Sequence, residues 1–241
     1  PANYSKTEDG LTVTNKYVIP TDDVTATKVW EDGPEPRPTV WFKLYRQVGA
    51  TGTPEAVPGA AIQELADGTL SVTWNNVEKT DIGGNPYIFT VKEVDADGND
   101  FEPANYSKTE DGLTVTNKYV PPTDDVTATK VWEDGPEPRP TVWFKLYRQV
   151  GATGTPEAVP GAAIQELADG TLSVTWNNVE KTDIGGNPYI FTVKEVDADG
   201  NDFEPANYSK TEDGLTVTNK YVIPTDDVTA TKVWEDGPEP R

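Results

Sequence analysis

Lys28, Glu93 and Asn117 each interrupt an otherwise apolar face. Alternate residues of a strand line one side. By that parity Lys28 shares a side with Val24, Ala26 and Trp30. Glu93 falls in with Tyr87, Phe89 and Val91, and Asn117 with Leu113, Val115 and Tyr119. An unpaired ammonium or carboxylate is costly to bury. One reading is an ordinary ion pair with an amide beside it, which adds little stability over apolar replacements. A second reading uses the same burial. Desolvation lowers a lysine pKa and raises a glutamate pKa, so the pair can rest as neutral amine and neutral acid. A neutral amine is a nucleophile. A protonated carboxyl donating to the Asn117 carbonyl would polarise it and shuttle protons. Attack of Lys28 Nζ on Asn117 Cγ, with loss of ammonia, leaves an uncharged side-chain amide. Fixed proximity is what would let so unreactive an amide react.

The elements that must hold these residues repeat. Residues 1–37 recur as 103–139 and 205–241, and residues 38–102 recur as 140–204, a period of 102. The repeats differ only where Ile19 and Ile223 face Pro121. Lys130, Glu195 and Asn219 therefore duplicate the first trio. A period this long suits a whole domain, not a solenoid unit. The phase comes from VIPTDD (18–23), VPPTDD (120–125) and VIPTDD (222–227), which read as short stiff connectors. The expected layout is the tail of a preceding repeat over 1–20, domains over 22–120 and 124–222, and the first strand of a following repeat over 225–241.

Within one domain the pattern is all strand. VTATKVWE (24–31), TVWFKLYRQ (39–47), AIQELA (61–66), TLSVTW (69–74) and PYIFTVKEV (86–94) are separated by Gly/Pro turns. YSKTEDGLTVTNKYV (106–120) reads as a hairpin around Asp111-Gly112. Such spacing predicts a β-sandwich.

Composition excludes much. The net charge of −21 argues against nucleic acid and anionic membranes. No run of about 18 apolar residues predicts a membrane helix. Without Cys or His there is no disulfide, no Cys/His metal site and no Ser-His-Asp or Cys-His catalysis. No cofactor and no metal are expected. The sequence has no initiator Met, leader or anchor motif, so a piece of a longer protein is expected. DADGND (95–100) lacks the calcium-loop Gly and Glu, which fall at Asp100 and Tyr106, and is read as a solvated acidic turn. Trp41 and Tyr45 lie opposite the Val40/Phe42/Leu44 face and are expected under loop 48–60.

VTATKVW, YIFTVKEV and GLTVTNKY resemble the start, later middle and end of a Cna B-type domain, the repeat module of collagen adhesins and many Gram-positive pilins and surface proteins. The resemblance spans each full domain. It implies reverse immunoglobulin-like sandwiches in tandem, in a rod. It also implies a spontaneous Lys–Asn isopeptide between first and last strands, assisted by a Glu: Lys28–Asn117 with Glu93, and Lys130–Asn219 with Glu195. The first and last strands are then parallel neighbours, which need a crossover of roughly a dozen residues. Tyr17 to Val24 is too short for that, so Asn15 and Lys232 are expected to stay unpaired.

The function expected is a structural spacer in a cell-wall-anchored surface adhesin or fibre of a Gram-positive bacterium. Its partners are the neighbouring repeats and, through another domain, a host or matrix ligand. It is not an enzyme beyond one self-directed turnover. The alternative is a repeated low-affinity binding module that gains by avidity.

Overall fold

The structure, a computed structural model, describes residues 2–235 and 237. Its first half carries β1 (Tyr4–Asp9), β2 (Thr12–Tyr17), β3 (Thr21–Glu31), β4 (Val40–Val48), β5 (Glu55–Ala56), β6 (Gln63–Leu65), β7 (Ser71–Glu78), β8 (Tyr87–Val94), β9 (Tyr106–Asp111) and β10 (Thr114–Tyr119). The second repeats it with β11 (Thr123–Glu133), β12 (Val142–Val150), β13 (Glu157–Ala158), β14 (Gln165–Leu167), β15 (Ser173–Glu180), β16 (Tyr189–Val196), β17 (Tyr208–Asp213) and β18 (Thr216–Tyr221). Among the described residues no helix is long and apolar enough to cross a membrane.

Two compact units result. One holds the chain to Thr123 together with Glu180–Tyr189; the other holds Asp124–Val179 and the chain from Ile190 onward. In the first repeat one sheet has the order β7-β3-β10-β9. In the other, β4 pairs along one edge with β8 and along the other with β6 and β5. β3 and β10 run parallel, with Thr27 opposite Thr114 and Lys28 opposite Val115. They are the repeat's first and last strands, so everything between them is the crossover that parallel pairing requires.

The two inner faces form one core. Val40, Phe42 and Leu44 on β4 are 0–1% exposed, as their alternation predicts. They pack with Val24, Ala26, Leu65, Trp74, Val91 and Val115. Trp74 satisfies its indole by donating to Ala61 O at 2.7 Å. The β9–β10 loop is Gly112-Leu113, one residue later than the Asp111-Gly112 reading. Gly112 at φ +57° takes the left-handed position that opens the turn.

Three further features differ from the expectation. The 18–23 connector is shorter, because Thr21 and Asp22 already pair with Glu78 and Val77 before a bulge restores the inward set at Val24. The loop between Val48 and Gly59 contains β5, which pairs Ala56 with Tyr45. Trp41 and Tyr45 are half-buried. Residues 225–235 and 237 form no strand, although β3 and β11 have the same sequence. Strands need partners, and within this chain each parallel slot beside β10 and β18 is filled by β3 and β11. The remainder of the expected strand, 236 and 238–241, lies outside the described residues.

The β1–β2 hairpin shows the same dependence. It pairs with itself from Tyr4–Tyr17 to Asp9–Thr12. Val13 is 56% exposed, while its equivalent Val115 is fully buried. Only the surrounding sandwich makes that face a core.

Candidate functional site

The three misfits meet. β3 delivers Lys28 inward, β8 delivers Glu93, and β10 delivers Asn117 one step along from Val115. The exposures of the three residues are 2%, 0% and 0%. Lys28 Nζ lies 3.5 Å from Glu93 Oε2. Asn117 Nδ2 donates to Glu93 Oε1 at 2.8 Å. One carboxylate oxygen thus faces the amine and the other faces the amide. The second repeat reproduces this with Lys130, Glu195 and Asn219 at 3.5 and 2.8 Å. Asn15 lies on β2 opposite Lys6, fully away from any core. Lys232 is exposed, its Nζ 3.8 Å from the Trp234 ring centre.

The electrostatics follow from burial. Desolvation pushes the Lys28 ammonium down to about 8, with Arg37 adding to the effect and Glu93 opposing it. Burial pushes the Glu93 carboxyl up, against the Asn117 hydrogen bond and the charges of Lys28 and Lys108. Both shifts favour the neutral pair. Glu93 Oε2 and Asn117 Oδ1 have no hydrogen-bond partner. The site is therefore incompletely satisfied as an ion pair with a bystander amide. The sequence reading had the carboxyl serving the Asn117 carbonyl. Here the amide nitrogen faces it instead, and a half-turn of the amide exchanges the two.

An aromatic shelf covers Lys28. Its Nζ sits 3.9 Å from the Trp30 ring centre and donates to Val29 O at 3.1 Å. Trp30 meets Tyr106 edge-on at 5.0 Å, and Tyr106 meets Tyr119 at 5.4 Å. Arg37 closes the shelf by donating to Tyr106 Oη at 3.2 Å and to Asp32 O. Gly33 is at φ +93°, and a Cβ there would run into the Tyr106 hydroxyl. Neither Arg37 nor Tyr106 was read from sequence as part of the site. Nor were Lys108 and Glu110, although both share the inward parity of Tyr106 on β9.

The acidic turn closes on itself. Asp95 accepts from the backbone of Asp97 and Asn99 at 3.0 and 2.9 Å. Among the described residues no cluster of acids could hold a metal.

Tandem sandwiches whose first and last strands pair in parallel, each burying a Lys–Glu–Asn trio, define a class of repeat domain. The chain belongs to the Cna protein B-type domain family, which matches residues 24–118 and 126–220. It is 35% identical over 226 residues to a collagen adhesin of Staphylococcus aureus, matching 92% of this chain and 18% of that protein. The chain thus spans under a fifth of that relative. Two B repeat units of the S. aureus collagen binding protein share its fold, with a TM-score of 0.50 and 24% identity. That match covers 92% of this chain and 55% of the other. A major pilin of Streptococcus pyogenes is more distant, at 12% identity and a TM-score of 0.31, over 84% of this chain and 99% of the pilin.

Proposed function

We propose that the repeats are spacers of a surface adhesin or fibre, each locked by an intramolecular isopeptide bond. The bonds join Lys28 to Asn117 and Lys130 to Asn219. The observation that carries this is the bridging carboxylate, with Glu93 Oε2 facing Lys28 Nζ and Oε1 facing Asn117 Nδ2 in a fully buried site. The neutral amine attacks Asn117 Cγ, and Nζ gives up one proton. Nδ2 must gain one proton to leave as ammonia. Glu93 touches both nitrogens and carries that proton between them. The products are a secondary amide and ammonia, and Glu93 ends as it began. Glu195 does the same in the second repeat. The reaction consumes its own side chains, so it is one turnover and not enzymatic activity toward other molecules.

Near-identical repeats suit a spacer, since copies suffice for length while distinct ligands need distinct surfaces. Family membership and the adhesin relative support a location outside a Gram-positive cell, in a wall-anchored protein. By identity with β3 and with β9–β10, residues 225–241 and 1–20 serve as the head and tail of flanking repeats. A ligand would be engaged through another domain. The binding-module alternative needs an exposed aromatic patch, and Trp41 and Tyr45 do not provide one. Peptide mass mapping for a Lys28–Asn117 branched peptide tests the reading. Unmodified Lys28 and Asn117 in the folded chain would refute it.

A further inference from the structure

β8 is an edge of its sheet, and beside Glu93 it has no neighbouring strand to bond. Phe42 lies opposite Glu93 on the paired side. On the open side the bonds come from β9 and its turn, and from Phe101, whose N–H donates to Glu93 O at 3.4 Å. Val91 N–H donates to Gly112 O at 2.9 Å. Two residues on, Glu93 N–H donates not to backbone but to the Glu110 carboxylate, also at 2.9 Å. Glu93 O accepts from Lys108 Nζ at 3.3 Å. Lys108 in turn holds Glu110 at 3.2 Å and Asp100 at 2.7 Å, with its side chain 11% exposed. The second repeat builds the same clamp from Lys210 and Glu212, at 3.3 and 2.9 Å from the Glu195 backbone.

Inward charges on an edge strand have a plain use, the avoidance of edge-to-edge association. That use does not require both charges to end on the backbone of one residue. We propose that Lys108 and Glu110 are positioning residues for Glu93, holding its backbone so that its carboxyl bridges Lys28 and Asn117; this rests on the isopeptide reading. The clamp acts from outside the core, and neither side chain touches the reacting atoms. Lys108 also bears on the charge of Glu93. The groups facing Glu93 are Lys28 from β3, Asn117 from β10, and Lys108 and Glu110 from β9. Asp100 and Glu102 bond Lys108 in turn. Removing the Lys108 charge takes away one influence that keeps the Glu93 pKa down.

The test uses the full chain carrying Lys108→Met, made by cell-free translation and sampled over time. Peptide mass mapping distinguishes the repeats, because the substitution labels the first. The unaltered second repeat is the internal clock. Ammonia loss in the first repeat is expected to slow about 10-fold or more, as misplacement of a reacting group does. The alkaline limb of its rate profile is expected to move to higher pH, which a purely structural defect would not produce. Lys108→Arg is expected to restore both. Should Lys108→Met leave the first repeat unfolded, Glu110→Gln, equal in size but a weaker acceptor, must slow it several-fold. Equal rates in the two repeats overturn the clamp. Absence of ammonia loss in both overturns the isopeptide reading, and the clamp with it.

Discussion

Lys28 and Asn117 stand on neighbouring parallel strands, offset by one inward step, because Lys28 pairs with Val115 and Trp30 with Asn117. A lysine side chain reaches diagonally across that step, and Glu93 from the facing sheet lies over the gap. The two ends of the repeat are thus brought within the reach of one side chain.

Two bonds of this kind remove two ammonia molecules. The intact chain is expected to weigh about 34 Da less than its sequence formula, about 17 Da per bond. Electrospray mass spectrometry of the denatured protein reads this directly, and a full formula mass counts against both bonds.

Replacing Glu93 with Ala takes away the group proposed to carry the proton. The first repeat is expected to fold with Lys28 and Asn117 free, so the chain loses one ammonia and not two. Normal bond formation in that variant would assign the proton transfer elsewhere.

A chain carrying Asn117→Ala keeps Lys28 as an amine in the core. Its folded pKa of about 8 lies below the ordinary 10.5. Between those values the unfolded state binds more protons, so stability of the first repeat is expected to rise with pH across that window. Glu93 acts in the opposite sense. Its folded pKa is raised, so stability falls as pH climbs from about 4.5 to that value. The parent, in which Lys28 is proposed to be an amide, is expected to lack the alkaline rise. Urea midpoints from pH 4 to 11 compare the two.

Pulling a repeat from its ends loads β3 and β10. With Lys28 joined to Asn117, the 88 residues between them lie off the load path. Single-molecule extension is expected to show no domain-sized step, whereas Lys28→Ala releases roughly 3.3 Å per freed residue in the first repeat alone.

Gly33→Ala places a Cβ against the Tyr106 hydroxyl, on backbone at φ +93°. A loss of roughly 1–3 kcal/mol is expected in the first repeat, measured by urea unfolding of an Asn117→Ala background. An unchanged midpoint would mean that the aromatic shelf shifts freely.

The sandwich and the trio were legible because both rest on period-two alternation. A polar residue among inward apolar ones is visible without coordinates, as Lys28 is between Ala26 and Trp30. The clamp was harder to see. Lys108 and Glu110 sit on a strand whose inward face looks like ordinary surface, and their partners are backbone atoms of β8. Backbone acceptors leave no mark in side-chain chemistry. The unstructured 225–235 stretch illustrates the opposite limit. Its sequence is that of β3, and what it lacks is a strand to pair with.

The parallel pairing of β3 with β10 also sets an order of events at the ribosome. Lys28 emerges 89 residues before Asn117, on the order of 10 s earlier at ordinary elongation speeds. Until the last strand appears, β3 has only half of its sheet to join. The central strand pair can close only around a finished repeat. Truncated nascent chains, lacking the asparagine, cannot be sealed. In this architecture the proposed bond would be a record that translation of a repeat ran to its end.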